Sequence, residues 1–153
     1  MVDFIGSFNK GQEAAKKAED NKDEIDSVFE IMNQQLGDAS EGKLKVEIIF
    51  KSNPFLDFLT VAAKSASSGS YWAIAALNPL AESYAPKEIA KWKSDPNGYP
   101  CLVITDAEEM YCEDKAALEK ALSYLLARPE VGKIFRSVMN QKRKVESDSQ
   151  PDR

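Results

Sequence analysis

The chain has 153 residues, 43% of them apolar, and 20 basic against 25 acidic side chains give a net charge of −5. That is the composition of one globular domain able to bury its own core, and it argues against a general nucleic-acid binder, which needs clustered Lys and Arg to neutralise phosphates. There is no histidine, which removes Ser-His-Asp and Cys-His nucleophiles, His-ligated zinc and the usual general base near neutral pH.

The opening MVDFIGSFNKGQEAAKK has an acid at position 3 and only a short apolar patch. It lacks the basic start and apolar core of a secretory signal. No apolar run approaches the roughly 20 residues that span a bilayer, so the expectation is a cytoplasmic protein with no membrane partner. Residues 12–36 are rich in helix formers and contain no Gly or Pro. Ile25, Val28, Phe29, Met32 and Leu36 recur at helical spacing, and Gly37 offers a stop. The first half of that helix has only alanines to bury, which leaves it exposed, frayed or packed on a partner.

Residues 43–50, KLKVEIIF, alternate, with Leu44, Val46, Ile48 and Phe50 on one face of a half-buried strand. Ser52-Asn53-Pro54 ends it. In the stretch that follows, FLDFLTVAAKS fits either a helix or a second strand; the reading favoured is a hairpin, with strands near 58–64 and 70–78 around the turn-like SASSGS. Pro86 at a first-turn position predicts a short helix over PKEIAKWK. Asp95-Pro96-Asn97-Gly98 is a turn. CLVIT and EEMYC then flank Asp106-Ala107, and an even-length turn sets Cys101 opposite Cys112, Leu102 opposite Tyr111 and Val103 opposite Met110. Asp114 is a good N-cap for a helix with Leu118, Ala121, Leu122, Leu125 and Leu126 on one stripe. Pro129 breaks it and starts a second helix carrying Val131, Ile134, Phe135, Val138 and Met139. The tail from 141 to 153 holds one apolar residue and reads as disordered. The fold class is therefore α+β: one domain over 1–140, an antiparallel sheet of about five strands, and N- and C-terminal helices packed on one face.

Several groups of residues invite a chemical reading. Cys101 and Cys112, the only thiols, are placed to form a redox pair, although two small apolar residues packed on a sheet face explain them more plainly. The acids of EDNKDEID and DAEEMYCED are numerous enough for a carboxylate or metal-dependent enzyme, yet they lack the glycine of a calcium loop and are also explained as solvated faces and caps. Ser65, Ser67, Ser68 and Ser70 have no nucleophile elbow around them, and only Lys64 stands near as a base. Phosphate-binding glycine motifs are absent, so no cofactor is indicated. Arg128 to Lys144 contains six basic residues and one acid, a segment of +5 in a remainder of −10. Lys142, Arg143 and Lys144 at its end are candidate anion contacts for a nucleic-acid regulator, and equally a favourable basic helix terminus. Tyr71, Trp72, Trp92 and Tyr99 are candidates for an outward aromatic surface that anchors a partner, against the plainer reading that they complete the core. Taken together these residues point to a non-enzymatic interaction module of adaptor, chaperone or inhibitor type, expected as a homodimer. The carboxylate enzyme and the nucleic-acid regulator are the alternatives.

Overall fold

The computed structural model describes residues 1–52 and 69–145. Helix α1 runs Phe4–Ser40, followed by strands β1 (Lys45–Lys51), β2 (Tyr71–Leu77), β3 (Lys87–Asp95), β4 (Gly98–Ile104) and β5 (Glu109–Cys112). Helices α2 (Lys115–Leu126) and α3 (Pro129–Met139) follow. The five strands form one antiparallel sheet in sequential order, β1-β2-β3-β4-β5. All three helices lie on one face: α1 crosses from β4 to β1, α2 covers β4 and β5, and α3 covers β2 and β3.

The core follows from strand alternation meeting helical periodicity. Val46, Ile74, Ala90, Trp92, Cys101, Val103 and Cys112 look up from the sheet. Ile25, Val28 and Phe29 of α1, Leu118, Leu122 and Leu125 of α2, and Val131, Phe135 and Val138 of α3 look down on it. Near the centre the Phe29 ring meets Trp92 edge-on, with centroids 5.6 Å apart at 89°, the arrangement the ring quadrupoles favour.

α1 is longer at both ends than the predicted 12–36. Asp3 caps its start, its carboxylate accepting from the Gly6 N–H at 2.9 Å. Gly37 does not stop it. The chain turns only at Glu41, which is left-handed (φ 57°), and Gly42 (φ 82°), whose N–H donates to Gly37 O at 2.9 Å. Three residues before the last turn, Asn33 reaches to the outer edge of β1. Its amide donates to Val46 O and its oxygen accepts from Val46 N, both at 2.8 Å. One side chain thereby satisfies both edge groups of that residue, which would otherwise be open to pairing with another strand.

The predicted short helix over PKEIAKWK is a strand, β3. The register between β2 and β3 shifts between Ile74 and Ala75, so Ile74 pairs with Ala90 and Ala75 with Glu88. Ile89 is the extra residue of a bulge. That bulge buries Ile89 as well as Ala90 and Trp92, producing the three-residue spacing that imitates a helix. The Asp95–Gly98 turn joins β3 to β4 as expected; Asn97 N–H donates to Asp95 Oδ1 at 2.9 Å, and Gly98 takes φ 91°. A side chain at Gly98 would also sit 2.8 Å from Asn21 Cβ of α1, so glycine is needed there for space and for conformation. The β4–β5 pairing has the predicted register: Cys101 faces Cys112, Leu102 faces Tyr111 and Val103 faces Met110. The strand expected near 58–64 lies outside the described residues, as do Lys64, Ser65, Ser67 and Ser68. The expected disorder from 141 does not hold at its start. Lys142 O accepts from Glu82 N–H and Leu80 O accepts from Lys144 N–H, both at 2.8 Å, so 142–144 runs as a short bridge beside the β2–β3 connection.

These contacts separate two tryptophans that neighbour each other across β2 and β3. Truncating Trp92, 6% exposed, to Ala is expected to cost about 3–5 kcal/mol in urea unfolding. The same change at Trp72, 51% exposed, is expected to cost under about 1 kcal/mol.

Candidate functional site

The four candidate aromatics do not form one surface. Trp92 is a core residue, because its register position faces Phe29 of α1. Trp72 pairs with Trp92 on the same face of the sheet but lies beyond the cover of the helices. There it contacts Phe50 of β1, ring centroids 5.0 Å apart at 65°. Phe50 and Trp72 make an exposed aromatic pair at the sheet rim.

Tyr71 lies on the opposite face. Its hydroxyl donates to Glu88 Oε1 at 2.6 Å, Lys51 Nζ reaches the same oxygen at 3.6 Å, and Lys91 Nζ stands 4.8 Å over the Tyr71 ring. The hydrogen bond to Glu88 holds the proton on the phenol, raising its pKa. One Glu88 oxygen is thereby shared between the Tyr71 hydroxyl and the Lys51 ammonium.

Tyr99 belongs to a different place, the base of α1. Its hydroxyl donates to Glu24 at 2.8 Å, while Asn21 donates to Asn97 O at 2.9 Å. With Ala14, Ala18 and the acids Glu113 and Asp114 these residues wall a hollow of about 600 Å³ between α1, the β3–β4 turn and the entry to α2. Burial, reinforced by Glu24, pushes the Tyr99 phenol up, so it too stays protonated.

The acids that invited a catalytic reading are dispersed among separate tasks. Asp106 pairs with Arg128 at 3.0 Å, and that hydrogen bond lowers its pKa. Arg128 also holds Glu130 at 2.6 Å. Asp114 caps α2, accepting from Ala117 N–H at 2.9 Å, and Lys16 pairs with Asp20 along α1. Among the described residues no group of three or more Cys, Asp or Glu is arranged to hold a metal ion.

The basic segment is likewise divided. Arg128 is engaged with its two acids, and Lys142 stands 3.8 Å from Glu82. Lys142, Arg143 and Lys144 lie on the extended bridge, not on the end of α3, and all three are exposed.

Cys101 and Cys112 face each other across β4 and β5, both fully buried and both free thiols. Burial, with Cys112 adjacent, pushes the Cys101 thiol up to about 12, and burial raises Cys112 as well. A reactive cysteine needs the opposite surroundings, exposed and electropositive.

Reading the sequence overlooked the tip of α1. Val2, Phe4, Ile5 and Phe8 are all exposed, and the first α1 side chain buried in the core is Ile25. The signal was present as three large apolar residues within five positions, ahead of an alanine-rich stretch. Among the described residues, no helix is long and apolar enough to cross a membrane. Comparison with protein-family models, curated proteins and solved structures finds no match to this chain.

The buried thiols give a pH prediction. Cys101, Tyr99 and Tyr71 all have folded-state pKa values above their ordinary ones, so the unfolded chain loses those protons first. Stability should be whole below about pH 9 and fall as pH rises towards about 12. Urea midpoints measured from neutral to strongly alkaline pH should trace that decline. An aromatic disulfide reagent at pH 8 should label both thiols only after denaturation.

Proposed function

We propose that this protein is an interaction module without catalytic chemistry of its own, acting as an adaptor, chaperone or inhibitor, and that it works as a homodimer. The observation that carries this reading is the protruding half of α1. From Phe4 to Asp20 the helix extends roughly 25 Å with no side chain in the core, and it ends in the apolar residues Phe4, Ile5 and Phe8. Gly6 and Gly11 each weaken the helix by roughly 1 kcal/mol relative to Ala. An arm that displays apolar side chains at one end and carries two glycines gains most from something to pack against. The Phe50–Trp72 pair at the rim adds a second exposed aromatic patch. Clustered exposed apolar residues mark contact surfaces, whereas scattered ones do not.

Supporting the same reading, Asp106, Glu130 and Arg128 are engaged in ion pairs, Asp114 in a helix cap, Glu24 and Glu88 in hydrogen bonds to tyrosines, and both thiols are buried. Light scattering behind a sizing column tests the self-association. The expected mass is twice the 17.0 kDa of one chain. A mass of one chain at every concentration tried would rule out the homodimer and leave only a monomeric adaptor or inhibitor.

A further inference from the structure

We infer that two copies of the chain pair through the arms of α1, residues 4–22, running antiparallel. This rests on the interaction reading above and names the surface and its occupant. At 100° per residue, Phe4, Phe8, Gly11, Ala15, Ala18 and Lys22 fall within an arc of about 80°. Their 4-3-4-3-4 spacing is that of a coiled-coil seam. The same spacing continues through Ile25, Phe29, Met32 and Leu36, which pack onto the chain's own sheet. The seam is therefore one stripe, filled by the sheet along its second half and open along its first.

The open half is self-complementary in one direction only. Its large residues stand at the tip and its small ones at the base. An antiparallel copy sets Phe8 against Ala18, Gly11 against Ala15 and Phe4 against Lys22, so each bulky ring meets space or a flexible stem. A parallel copy stacks Phe on Phe and Gly on Gly, leaving a gap beside each small residue. Ala18 is both a seam residue and a wall of the hollow at the base of the arm, so Phe8 of the second copy sits over the hollow's rim. The Lys22 stem lies along Phe4 of the second copy, with its ammonium able to reach the ring face.

Area and charge point the same way. Four phenylalanines bring about 600 Å² or more to the contact, and the paired arms supply the rest of the ~1,200 Å² that a stable interface needs. The positive end of each helix lands beside Glu19, Asp23 and Asp26 of the other. Asp3 caps that same end, so this charge contribution is small beside the apolar one. A lipid surface fits less well, because the polar side of the arm mixes Lys10, Lys16 and Lys17 with Glu13, Glu19 and Asp20.

The test combines mass with register. The full chain should run at twice 17.0 kDa, and Phe4→Ser with Phe8→Ser should return it to the mass of one chain. Both residues are exposed, so the thermal transition of the body should not move. Phe50→Ser, on the other exposed patch, should keep the doubled mass. For register, Gly11→Cys and Ala15→Cys proteins, mixed and then oxidised, should cross-link to each other and neither to itself. Antiparallel pairing offsets each position from its own copy by about one helical turn, beyond disulfide reach, and the native thiols are buried. Cross-linking of Gly11→Cys alone shows a parallel pair and overturns the inference. A doubled mass that survives the Phe4/Phe8 changes overturns it while leaving the homodimer in place. A monomer whose arm binds anionic phospholipid vesicles overturns both.

Discussion

One contact organises the described structure: the T-shaped packing of the Phe29 and Trp92 rings. It is where α1 meets the middle strand of the sheet, and the surrounding core is arranged about it. A five-stranded antiparallel sheet needs one face kept from water, and the described residues supply three helices to do so. Trp92 points into that layer in regular register with Trp72 and Val103, and the bulge at Ile89 then brings Ile89 into the core as well. Phe29 reaches it because Asn33 and Asn21 tie α1 to the sheet at β1 and at the β3–β4 turn, on either side of the ring contact.

That anchoring has a consequence for the rest of α1. The helix is held from Asn21 to Ser40, so the residues before Asn21 project as a continuation of a fixed rod. Nucleating a helix is its costly step, and here the anchored half has already done it. The arm can therefore remain helical despite two glycines, with its apolar tip in solvent. The seam that binds the sheet in one half is offered to solvent in the other, which is why the proposed contact uses the same kind of packing as the core.

The chemistry of the chain is consistent with this division of labour. Charged side chains close local accounts: Arg128 with Asp106 and Glu130, Glu24 with Tyr99, Glu88 with Tyr71 and Lys51. Burial keeps both thiols protonated. The exposed large apolar side chains include a group at the arm tip and the Phe50–Trp72 pair at the rim.

Local pattern was enough wherever an element's partner lay next to it in sequence. The β4–β5 register was legible because an even-length turn and strict alternation leave one pairing, and Asp114 and Pro129 mark the helix starts by capping chemistry that acts within one turn. The stripe of Ile25, Val28 and Phe29 was legible for the same reason. The sheet-plus-helix class followed from those parts. Tertiary structure alone decided the rest. β3 reads as a helix because its bulge brings Ile89 into the core three positions before Trp92, and a bulge depends on the neighbouring strand. Trp72 and Trp92 are similar in isolation, yet one is buried and the other exposed, because only Trp92 lies under α1. Lys142–Lys144 are ordered by backbone bonds to Leu80 and Glu82, some sixty residues away, and no local signal could announce them. Composition and periodicity determine which side chains seek burial; where the helices end over the sheet determines which of them find it.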